Sequence, residues 1–130
     1  MRTAHSVEFV AKRLAEELSR EVHELEQLPS LRRRRVIFNE LSDAALTALI
    51  TLAVPWNPSD HRDTQRHLRE LRHARRVLAT FRTRLNRAVA LGWLDQPRAE
   101  PLDRTAEELS ALLLVLHSNV RSGYRPRTSR

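Results

Sequence analysis

Arginine carries the chemistry open to this sequence. Of 23 basic side chains, 22 are Arg, and they cluster. Residues 31–92 hold 13 Arg against five carboxylates, a net charge of +8, whereas residues 1–30 are net −2 and residues 93–130 net +1. A planar guanidinium matches phosphate or carboxylate with two parallel hydrogen bonds, so a local excess of this size points to an anionic partner. On a helical wheel, Arg62, Arg66, Arg69, Arg76, Arg84 and Arg87 fall on the half opposite the apolar residues. Six Arg along one rod form a rail for a phosphate backbone. Arg75 and Arg82 lean instead toward the apolar side, in register with Leu68 and Val89. Unpaired charge there is expensive; the expected partners are Glu residues of the first helix, and the sharper alternative is a subunit interface or a central channel. Arg32, Arg33, Arg34 and Arg35 stand at a helix start, where cations oppose the dipole. That placement implies use on phosphate or on an acidic protein patch. Arg121, Arg125 and Arg127 belong to a tail, residues 121–130, with four Arg and no acid. It is expected to be disordered or ordered by a partner.

Catalytic groups are scarce. Glu70-Leu71-Arg72-His73 is a single Glu-x-x-His, whereas a di-iron bundle needs two copies and further inward Glu. Asp63, His67 and Glu70 share one helical edge, a spacing that suits i,i+4 pairing better than a metal site. His5, His23 and His117 are isolated, and no nucleophile has a base at a readable spacing. The absence of cysteine excludes disulfides and thiolate metal sites, and two glycines are poor material for a phosphate-cradling loop. No catalytic residue, metal or cofactor is expected. With 5% aromatic residues there is no base-stacking platform, so sequence-specific base readout is not implied.

Helices must position these side chains. A chain of 130 residues, 41% hydrophobic and 30% charged, is one globular domain. Val7, Ala11, Leu14, Leu18, Val22, Leu25 and Leu28 recur at three or four residues, one stripe of an amphipathic helix that Pro29 stops. A second helix over residues 31–54 has Phe38, Leu41, Ala45, Leu49 and Leu52 as its stripe, widened by Ile37, Ala44, Ala48 and Ile50. An apolar surface that wide predicts burial by several neighbours. Pro55-Trp56-Asn57-Pro58 breaks it, and Ser59 or Asp60 caps a third helix reaching Leu91. Leu68, Leu71, Leu78, Phe81, Leu85 and Val89 form its core face, and Gly92 ends it. Asp95 caps the fourth, with Pro97 in its first turn; Pro101 either kinks that helix or moves its start to Asp103. Leu109, Leu112, Leu113 and Leu116 are its buried face. The expected fold is all-α, an antiparallel up-down four-helix bundle over residues 1–120 followed by the basic tail. No apolar signal core follows Met1-Arg2, and residues 44–54 are too short to span a bilayer, so a soluble cytoplasmic protein without membrane contact is expected.

Two family resemblances follow from particular residues. Arg62-Asp63-Thr64-Gln65-Arg66-His67 fits the R-[ND]-x3-H pattern of HEPN ribonucleases. That resemblance implies RNA cleavage with Arg62 and His67 meeting across a dimer. A broader one covers most of residues 7–118. Leu28-Pro29, Leu41 with Ala44-Ala45-Leu46, Leu52-Ala53, Leu68-x2-Leu71 through Leu78 and Leu85, Leu91-Gly92-Trp93-Leu94, and Glu107-Glu108-Leu109-Ser110-Ala111-Leu112-Leu113 resemble the four-helix superfamily of ribosomal-RNA intervening-sequence proteins. Within it the chain most resembles the Avd proteins, the accessory variability determinants of diversity-generating retroelements. This second resemblance implies a homopentameric barrel of bundles that performs no chemistry. It implies binding to the retroelement's reverse transcriptase and to RNA, DNA or an RNA–DNA hybrid, in support of mutagenic cDNA synthesis. The charge distribution favours this branch. A protein-only interaction bundle is the remaining alternative.

Overall fold

A computed structural model of the chain describes residues 4–28 and 35–123, and among them all regular structure is helical. The helices are α1 (Ala4–Glu26), α2 (Arg35–Ala53), α3 (His61–Ala90) and α4 (Gln96–Arg121). Each packs on its neighbour in sequence, and α1 closes the ring on α4; among the described residues the backbones of the diagonal pairs α1/α3 and α2/α4 do not approach closely. The short links after α2 and α3 make those neighbours antiparallel. This is the four-helix bundle that the apolar spacing predicts.

Among the described side chains, residues of each stripe read from the sequence make up the core; Ile37, Phe38, Leu41 and Ala44 of the second stripe lie outside the described side chains. Leu18, Leu71, Leu78, Phe81, Leu85, Leu109 and Leu113 are the largest side chains withdrawn from water. Each such burial contributes about 1.5–3 kcal/mol. Leu14, Leu28, Leu49, Val89 and Leu112 pack on this core only partly buried. On α2 the outcome differs from the expectation. Ala45, Ala48, Thr51 and Leu52 are buried, but Leu46 and Ile50 face outward, as does Val54 just past the helix end, with Ile50 53% exposed. A ring of four leaves α2 only two neighbours, too few to cover so wide an apolar surface.

The ends of α3 are set by local chemistry. Asp60 is the N-cap, its Oδ1 accepting from the amides of Arg62 (2.9 Å) and Asp63 (3.3 Å). At the other end the Gly92 amide bonds Val89 O (3.0 Å) and the Trp93 amide bonds Ala88 O (2.9 Å). This paired closure requires the left-handed φ of +78° that Gly92 adopts. In α4, Pro101 lies inside a helix that starts at Gln96, so the later start near Asp103 is not adopted. The stop at Pro29, the start of the second helix at residue 31 and the tail beyond Gly123 lie outside the described residues.

Candidate nucleic-acid interface

The link between α2 and α3 is stapled to the first two turns of α3. Trp56 stacks on His67 with ring centroids 4.9 Å apart and donates from Nε1 to Thr64 Oγ1 at 3.1 Å. Asp63 accepts from the Asn57 amide at 2.6 Å. Arg66 reaches three acceptors: Asp63 (2.7 Å), Glu70 (2.6 Å) and the Pro55 carbonyl (3.2 Å). Burial and the neighbouring Arg66 charge lower the pKa of His67, outweighing Glu70, Glu8 and Asp63. The Arg66 hydrogen bond, then the Asn57 amide, lowers that of Asp63.

This staple changes the charge pattern of α3. Its only two carboxylates, Asp63 and Glu70, are both engaged by one cation. Arg66, counted on the free rail from its angle, is therefore a structural clamp. Arg62, Arg69, Arg76 and Arg87 are exposed, and none makes an ion pair among the described residues. Arg62, Arg69 and Arg76 recur every seven residues, about 10.5 Å apart, and Arg87 extends the ridge to about 37 Å. Arg84 is half-buried beside this ridge. Arg72, overlooked by the wheel argument, is also exposed. Its place one turn from Arg69 and Arg76 was the available signal.

The two inward-leaning Arg part company. Arg82 does not meet α1; it binds Asp103 of α4 through Nε (2.8 Å) and through a second nitrogen (3.2 Å), with Glu107 at 3.1 Å. The seam partner is thus α4, because α3 is diagonal to the Glu-rich helix. Arg75 is half-buried, and its Nε is buried without a hydrogen-bond partner. Arg121 is exposed on the last turn of α4. Arg35 is the first residue of α2; Arg32, Arg33, Arg34, Arg125 and Arg127 lie outside the described residues.

Other chemistry is thin. A cleft of about 180 Å³ between the α1 C-terminus and the α4 start is lined by Glu21, Glu24, Leu25, Leu28, Arg98, Pro101 and Leu102. Burial and then Glu17 raise the pKa of Glu21 there. Among the described residues no His, Asp or Glu cluster has the grouping of a metal site, and no helix is long and apolar enough to cross a membrane. No family model, curated protein or solved structure matches the chain.

Proposed function

We propose that this protein is a non-enzymatic, homo-oligomeric accessory factor that holds template RNA, or DNA or a hybrid, for the reverse transcriptase of a diversity-generating retroelement. The carrying observation is the unneutralised ridge of α3: Arg62, Arg69, Arg72, Arg76 and Arg87 face solvent while both α3 carboxylates are clamped by Arg66. An ordinary solvated face mixes signs. A one-sign ridge on a rigid 30-residue helix favours a phosphate backbone. The mechanism is electrostatic: phosphates lie on the ridge, counterions leave, and the template is held against the polymerase.

His67 supports the non-enzymatic reading over the HEPN-type ribonuclease. Its ring is half-buried and held in a stack on Trp56 of the same chain. Filter binding of RNA over a range of salt tests the proposal. The expected result is a log–log slope of about −3 or steeper. A flat slope favours the protein-only bundle. Cleavage of RNA by the wild type but not by His67→Ala favours the ribonuclease. A reverse-transcriptase gene with paired template and variable repeats beside this one supports the retroelement assignment.

A further inference from the structure

Along the α3–α4 seam positive charge is met in two ways. At Arg82, two carboxylates of α4 close on one guanidinium. That pair also fixes the register. Ten residues back along α3 from Arg82 is Arg72, and ten residues forward along antiparallel α4 from Glu107 is His117. Arg75 lies one turn from Arg72, and Arg121 one turn beyond His117, so three guanidiniums and an imidazole share this stretch. Among the described residues no carboxylate pairs with them. Arg75 Nε and His117 Nε2 are both buried without a hydrogen-bond partner. Burial, then Arg72, Arg121 and Arg75, hold His117 below its ordinary 6.5, and no acid is among the groups acting on it. The imidazole is therefore neutral at pH 7, and one tautomer carries its proton on Nε2.

Buried polar atoms in folded proteins are almost always satisfied, and an exception asks for a cause. Two of them beside two exposed guanidiniums make a site that offers donors and demands acceptors. A tetrahedral oxyanion is acceptor-only and has enough oxygens for all four side chains. We propose that this seam is a phosphate seat: Arg72 and Arg121 close on the anion from the exposed side, and rotation of the half-buried Arg75 and His117 side chains turns Arg75 Nε–H and His117 Nε2–H, which have no partner inside, toward it. Resting on the RNA reading above, the phosphate is one of an RNA backbone laid along α3; free inorganic phosphate is the other source of the same chemistry. Crowding like charges in a half-buried seam costs stability.

The test is thermal unfolding at pH 7.5 and fixed ionic strength, with chloride replaced stepwise by inorganic phosphate. Wild type and Arg87→Gln are expected to gain melting temperature saturably. Arg75→Leu is expected to start higher than wild type without phosphate, yet bind phosphate at least tenfold more weakly, as loss of a charge-assisted hydrogen bond implies. Arg121→Gln, at an exposed helix end, retains the fold and shows the same weakening. Phosphate acting like chloride on the wild type, or equally on Arg75→Leu and Arg87→Gln, overturns the seat. A second arm measures anisotropy of a fluorescein-labelled oligouridylate. Tenfold weaker binding by Arg75→Leu supports the backbone source. Binding by Arg75→Leu equal to that of the wild type, with the thermal difference retained, assigns the seat to the free ion. Absence of RNA binding by the wild type removes the RNA reading while the thermal arm still decides the seat.

Discussion

At the scale of single residues, the histidines tie stability to pH. His67 and His117 both have lowered pKa values, each mainly through burial. Between the folded value and the ordinary 6.5 the unfolded chain binds more protons. Stability therefore rises with pH across that window and is lost as pH falls below about 6.5. His67 feels Arg66 against Glu70, Glu8 and Asp63, whereas His117 feels only Arg72, Arg121 and Arg75. The raised Glu21 acts with the opposite sign from its ordinary 4.5 upward. A His67→Phe variant keeps the stack on Trp56 and removes one titrating group. Urea midpoints at pH 7.5 and 5.5 should then differ less than in the wild type; an unchanged acid loss would exclude His67 as its source. Legibility at this scale was uneven. Asp60 and Gly92 could be read because capping is a local rule. The clamp at Arg66 and the Arg82–Asp103 pair could not, because wheel angles do not say which carboxylate another segment brings near.

At the scale of helices, α3 and α4 each carry a testable load. Replacing Arg62, Arg69, Arg76 and Arg87 together by Gln should reduce the RNA salt slope by about 3, near 0.7 per lost phosphate contact with single strands. Filter binding reads this directly; an unchanged slope would move the contact away from α3. In α4, Pro101 is exposed and sits in the sixth helical position, where it has no amide to give to the Pro97 carbonyl. Pro101→Ala restores that donor and a better helix former, offset by a looser unfolded chain. The net expectation is a gain of about 1–2 kcal/mol in urea unfolding. A loss would mean that Pro101 holds the α4 start in place. Period alone sufficed to place α1 and the body of α3, but it left the α4 start open between Gln96 and Asp103 because Pro101 is compatible with either. For α2 the stripe was legible but its covering was not, since apolar width does not reveal how many neighbours a helix will have.

At the scale of the molecule, the ring order constrains how copies could associate. Leu46 and Ile50 of α2 and Val54, one residue past its end, form an exposed row at i, i+4 and i+8. Phe9 of α1, 60% exposed, lies at the same end because α1 and α2 are antiparallel. Leu114 and Val115 are exposed on α4, the helix diagonal to α2. Two different apolar patches at opposite corners favour a head-to-tail contact, which forms a ring where its rotation closes, over a two-fold dimer. Contacts made at α2 and α4 leave α1 and α3 on the two remaining faces. One face of such a ring carries the Arg ridge, and the other carries the acidic first helix, residues 1–30 being net −2. If copies close into such a ring, all its ridges lie on one side, and linking them would raise affinity for a long anionic chain without any new contact. Light scattering is expected to give an integer multiple of 15.1 kDa above one. Ile50→Glu and Leu114→Glu should each return a monomer with unchanged helical circular dichroism, since both side chains face solvent in the single bundle. Dissociation by Ile50→Glu alone would indicate a two-fold contact through α2, and the two-faced ring would then be wrong. If both variants dissociate, RNA affinity should fall with them while the per-ridge salt slope persists, because the ridge belongs to the bundle and the avidity to the ring.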